Sequence, residues 1–181
     1  MTEPEAAEPA SAGPTLAALR AAGRVLLRLG RVGGVVVAAL WMTFIWTLSA
    51  QSFPDEEFVV WEAWVANLAH APLFGLLALW WLPVVLARAE GRGLPPVGAG
   101  RAVLTVGLVL AFGFVDEWHQ SQVPGRDPSL QDIATDVVGA LCVLAVAGYV
   151  ARPDATDAGT WRRLGLGLLA CGAAAMVATL T

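Results

Sequence analysis

The chain is 181 residues long, 57% hydrophobic and only 14% charged, with a formal net charge of −4 and a mean hydropathy of +0.64. A soluble domain carries about a quarter charged residues and seldom a run of twenty apolar ones, so an ordinary soluble globule is excluded. The acidic balance argues against nucleic acid as a partner, because a basic footprint is missing. The long apolar blocks also do not alternate as the roughly ten-residue strands of a membrane barrel must, which leaves an all-α integral membrane protein whose first partner is the lipid bilayer.

Residues 1–14, rich in Glu, Pro and Ala, read as disordered. From residue 15 to 31, Arg20, Arg24, Arg28 and Arg31 recur at helical spacing and fall within an arc of roughly 80°. Leu16, Leu19 and Leu26 are among the residues that supply apolar surface. This leader reads as an amphipathic cytoplasmic helix lying on an anionic leaflet, or as a plain positively charged flank. A bilayer core needs about 20 apolar residues per helix, and five segments come close: 33–50, 65–86, 102–120, 130–150 and 164–180. The first four form a core over residues 33–150. Residues 151–181 add a cytoplasmic loop and a fifth span. The small-residue end of the first span at Leu48, Ser49 and Ala50 has a cleavage-site look, but the long charged leader and long apolar run favour a retained span.

Orientation follows from the arginines, which stay on the cytoplasmic side. Ten of the eleven basic residues, all Arg, flank the spans on one side, and Arg126 stands alone on the other. The first loop on that other side holds Asp55, Glu56, Glu57 and Glu62. The N-terminus is therefore expected in the cytoplasm and the C-terminus outside. Cys142 and Cys171 lie inside apolar segments, where a cysteine behaves as a small hydrophobe. Trp61, Trp64 and Trp118 read as anchors in the outer interface and Trp161 as one in the inner.

Ionisable groups within spans are costly and face a bundle interior or an aqueous cavity. Here they gather at one depth: His70 near the start of the second span, Asp116, Glu117, His119 and Gln120 at the end of the third, and Asp132 and Asp136 at the start of the fourth. Counted from residue 65, His70 lies about 8 Å into its helix. Asp116 with Gln120, and Asp132 with Asp136, are each one turn apart on a face. Pro124 and Gly125 suit the centre of a type II turn that would return Arg126 over the carboxylates. Pro72 would leave the Leu68 carbonyl without its helical donor near His70. Plainer roles exist too: Ser129 and Asp132 have the form of a capping box, and His119 reads as solvated.

The stretches Gly113-Phe-Val-Asp-Glu-Trp-His-Gln120, Val123-Pro-Gly-Arg126, Ser129 with Asp132, and Asp136-Val-Val-Gly-Ala140 resemble the VanZ-like membrane proteins. Leu48-Ser-Ala-Gln-Ser52 and Asn67-Leu-Ala-His70, with Phe74 and Gly75, resemble the same family's first two spans. The resemblance covers roughly residues 41–150. The family often has Asp-Lys at Ala66 and Asn67, an aromatic at Ala71 and Asn at Asp136, so this chain's site is the more acidic. The family's name comes from a protein associated with low-level resistance to the glycopeptide teicoplanin, and the resemblance implies a cell-envelope role of that kind without fixing an activity.

Two readings of the cluster follow. In one, His70, Asp116, Glu117, Gln120, Arg126, Asp132 and Asp136 form an outward-opening site, catalytic or ligand-binding, for a lipid or cell-wall-related ligand. Arg126 would hold an anionic head group, and Asp116 or Glu117 would act as general base or share a divalent cation with His70. In the other, the same residues are a polar lock between helices. A transporter is the weaker third reading, because paired broken helices are missing. The sequence names no cofactor, no substrate and no oligomeric state.

Overall fold

The computed structural model describes residues 13–51, 59–86, 94–126 and 128–180. Residues 1–12 of the leader expected to be disordered over 1–14, and the acidic residues Asp55, Glu56 and Glu57, lie outside them, whereas Pro14 already opens a helix. Six helices follow in order: α1 Pro14–Leu27, α2 Gly30–Ser49, α3 Val60–Val85, α4 Ala99–Gln120, α5 Leu130–Val150 and α6 Asp157–Leu180. The last five are long and apolar enough to cross a membrane. Together with α1 they make an all-α, multi-pass membrane protein.

Four helices begin earlier than hydropathy suggests, α2 and α4 by three residues each and α3 and α6 by more, and the two larger shifts share one physical reason. An acidic residue in the first turn interrupts an apolar count, yet it favours a helix N-terminus. In α3 the Glu62 carboxylate accepts the Val59 N–H at 3.2 Å, so the helix starts at Val60 rather than at 65. His70 consequently sits ten residues beyond the helix start, about 15 Å at 1.5 Å per residue, not 8 Å. In α6 the corresponding residue is Asp157, seven residues before the expected start.

Packing centres on α3, which touches every other helix. Its closest neighbour is α5, where Gly139 lies directly against the Ala71 carbonyl and Gly75 faces Gly139 and Val143. Lipid offers no hydrophobic drive between helices, so such close backbone approach through small residues is how membrane helices gain contact. Phe74, Leu77, Ile45, Val109 and Phe112 fill the shared core, and the Trp41 indole of α2 donates to the Leu73 carbonyl at 2.8 Å. Helix α6 is the least buried span. It is tied to α3 by Trp64, which donates to the Gly172 carbonyl at 3.1 Å, and by Asn67, which donates to Thr179 Oγ1 at 3.1 Å. Trp64 is thus a helix-to-helix donor, whereas Trp61 and Trp118 are both 64% exposed as anchors would be.

Helix α1 is shorter than the 15–31 leader expected. Gly30 adopts φ 63°, a left-handed conformation open to glycine, and it separates α1 from α2. Arg28 and Arg31 therefore lie beyond α1, leaving Arg20 and Arg24 on it. α1 is docked at its N-terminus and at its middle. Asp157 of α6 accepts the N–H groups of Thr15 at 3.1 Å and Leu16 at 2.9 Å. Arg20 donates to the carbonyls of Val150 at 3.0 Å and Arg152 at 2.6 Å, at and just beyond the C-terminal end of α5. Leu16 is fully buried beneath this clasp.

Candidate functional site

The polar residues do meet, at the bundle end opposite α1. His70 of α3 lies 3.0 Å from Asp136 of α5, Nδ1 to Oδ1, with Asp136 almost wholly buried. Asp116 of α4 has both oxygens occupied: Ser49 Oγ of α2 donates to Oδ1 at 2.7 Å and Gln120 Nε2 donates to Oδ2 at 2.9 Å. The one-turn spacing of Asp116 and Gln120 thus becomes a direct bond. Glu117 reaches across to α5, where its Oε2 accepts the Ser129 N–H at 2.6 Å. Asp116, Glu117, Gln120, Asp132 and Asp136 are all buried.

The capping box does not close within α5. Ser129 Oγ accepts the Gln131 N–H at 3.2 Å, but the Ser129 N–H goes to Glu117 instead of Asp132. Asp132 is thereby released from capping. Its Oδ1, together with Glu117 Oε1 and Asp136 Oδ2, is buried with no hydrogen-bond partner among the described residues. Asp136 and Glu117 are each near enough to His70, to Asp116 and to one another to act electrostatically, and Asp132 and Glu117 likewise. No three acidic, histidine or cysteine side chains among the described residues are grouped as metal ligands.

Pro124 and Gly125 form the expected turn: the Arg126 N–H donates to the Val123 carbonyl at 3.2 Å and Gly125 has φ 79°, as a type II turn requires. Arg126 returns over the end of α2, where its Nε donates to the Gln51 carbonyl at 3.0 Å, and it lies within electrostatic range of Asp132. A recess of about 390 Å³ lined by Glu117, Trp118, Ser121, Ser129 and Ile133 opens beside the cluster. His119 turns aside and stacks on Trp46 with ring centroids 3.7 Å apart, so it is half-buried rather than solvated.

Two participants carry no charge to advertise them. Ser49 is one, and its signal was its place at the polar end of an apolar span. Gly113 is the other: a Cβ there would stand 3.0 Å from Asp136 Oδ2, so the missing side chain makes room for the carboxylate. No curated protein and no solved structure matches the chain. The family model for VanZ/LLP1 matches residues 34–151, which takes in α2 from its fifth residue through α5 and with them every residue of the cluster, and the chain belongs to that family.

Proposed function

We propose that this VanZ-family membrane protein carries a ligand-binding site on the outer face of the membrane, and that the site supports tolerance of teicoplanin-type glycopeptides. The observation that carries the reading is the set of three buried carboxylate oxygens without donors, Glu117 Oε1, Asp132 Oδ1 and Asp136 Oδ2. A buried acceptor left unpaired costs about 1–3 kcal/mol, and more when charged, so a finished lock would not retain three. Such oxygens suit a ligand that brings donors of its own, ammonium or hydroxyl groups, while Arg126 suits an anionic part of the same molecule.

The lock reading applies to one half of the cluster. Ser49, Asp116 and Gln120 satisfy each other and hold α2 to α4, whereas Glu117, Asp132 and Asp136 are the half left open. His70 orients Asp136 and is placed to pass a proton should the site be catalytic. The ligand is a lipid head group or a cell-wall-related molecule of the outer leaflet.

The test is expression in a teicoplanin-susceptible host of the wild type, Glu117→Gln and Arg126→Ala, reading both tolerance and protein abundance. Glutamine keeps an acceptor for the Ser129 N–H, so the fold survives. Tolerance lost at constant abundance supports the site. Abundance lost with tolerance favours the lock, and full tolerance in both variants removes the cluster from function.

A further inference from the structure

A large cleft lined by none of the cluster's residues opens toward the other end of the bundle, running along α3 from Leu68 to Leu86. It has a volume of about 1140 Å³ and is walled by α1, α3, residues 94–97, α5 and α6. Nearly all of its surface is apolar, and Arg163 is the one charged side chain in its wall among the described residues. We propose that this cleft binds one anionic diacyl phospholipid from the leaflet at the arginine-bearing end, with α1 as its roof.

Size, depth and charge each point to that occupant. At about 30 Å³ per methylene-sized group, the share one water takes in the liquid, the cleft accommodates on the order of 35 to 40 such groups, which suits two acyl chains. Arg163 stands six residues into α6 and Trp80 five residues before the end of α3, about 9 and 7.5 Å from that membrane end. Both thus lie near the level where phosphate and ester groups sit above the acyl chains. Trp80 lines the cleft, and a tryptophan at that level is a usual membrane-interface anchor. The guanidinium of Arg163 lies 3.6 Å from the Tyr149 ring centroid, which fixes it at the wall.

The charge around the mouth has one sign. Arg24, Arg28, Arg31 and Arg162, each a neighbour in sequence or within two residues of a lining residue, are exposed. Of the described acids at this end, Asp154 is engaged by Arg152 at 2.7 Å, which holds its carboxyl below the usual range, and Asp157 is engaged by the α1 N-terminus. What remains attracts phosphate.

The full chain reconstituted in phosphatidylcholine vesicles with phosphatidylglycerol, then released into detergent for native mass spectrometry, tests this. The expected result is one phosphatidylglycerol retained per wild-type chain in preference to phosphatidylcholine. Ala22→Trp and Val146→Trp fill the cleft from opposite walls and should reduce retention of any diacyl lipid at least about tenfold. Ala22 is exposed, so its variant folds even where Val146→Trp does not. Arg163→Gln should keep a lipid but lose roughly tenfold in preference for phosphatidylglycerol, the size of one charge-assisted contact. A wild type that retains no lipid or shows no preference, or an Ala22→Trp protein that retains as much as wild type, overturns the proposal.

Discussion

Glu117 of α4 accepts the backbone N–H of Ser129 at 2.6 Å, so the N-terminal cap of α5 is completed by a neighbouring helix. A capping residue normally draws this bond from its own first turn. Borrowing it from α4 couples the angle between two spans to the position of a site carboxylate, and it leaves Asp132 buried without a capping task. Glu117→Ala should therefore destabilise the protein by about 1.5–3 kcal/mol, the range for a hydrogen bond to a charged group, whereas Glu117→Gln should cost about 1 kcal/mol or less. Thermal unfolding midpoints in detergent check the order. Equal midpoints for the two variants would show that the cap contributes nothing.

His70 and Asp136 form a second inter-helix bond of the cluster's open half, between the two helices in closest contact. Asp136 is 1% exposed, so removing the imidazole leaves a carboxylate with neither oxygen paired. His70→Ala is expected to cost about 3–5 kcal/mol, as breaking a buried pair does. Asp136→Asn keeps an acceptor for His70 and should cost less than half of that. An Asn variant as unstable as His70→Ala would mean that charge, not hydrogen bonding, holds the pair.

The α3–α5 contact is backbone against side-chain-free backbone. A Cβ at Gly139 would collide with the Ala71 carbonyl, and backbone cannot rotate away as a side chain can. Gly139→Ala is predicted to cost more than the 1–3 kcal/mol typical of overpacking and to lower membrane abundance. Gly148→Ala is the control, because its nearest neighbour is the Val97 Cβ at 3.8 Å, an ordinary contact. If the two variants accumulate equally, the close approach is not what holds α3 to α5.

Most of this architecture was legible because lipid reduces the sequence to apolar lengths and misplaced charges. The five spans followed from length alone, and His70, Asp116, Glu117, Asp132 and Asp136 stood out because charge within a span needs a reason. The helix starts at Val60 and Asp157 were not legible, since a charge such as Glu62 or Asp157 that ends an apolar count also favours a helix N-terminus. Ser49 and Gly113 were missed because a hydroxyl or an absent side chain is ordinary in a span until its partner is known. The clasp of α1 joins residues 130 or more apart in sequence, and no local pattern encodes such a pairing.

Topology is predicted from the ten-to-one partition of arginines. Reporters fused after Gln51 or within residues 122–127 should read as external, and fusions after Arg92 or Ala155 as cytoplasmic. A cytoplasmic signal from residues 122–127 would place the polar cluster on the inner face and remove the outer-leaflet ligand with it.

The docking of α1 can be tested apart from the spans. Asp157 accepts from two N–H groups of the first turn of α1 and brings negative charge to its N-terminus, both of which favour a helix start. Arg20 neutralises two carbonyls at the far end of α5. Loss of an N-cap costs about 0.5–2 kcal/mol, and each 1.4 kcal/mol is tenfold in an equilibrium. Asp157→Ala should accordingly raise amide exchange across α1 by roughly tenfold while α3 and α5 keep their protection, because no bond within those helices changes. Arg20→Ala should act in the same direction, and the double variant more strongly than either. Unchanged exchange in the double variant would mean that Leu16 burial alone holds α1, and that the two polar contacts only follow from it.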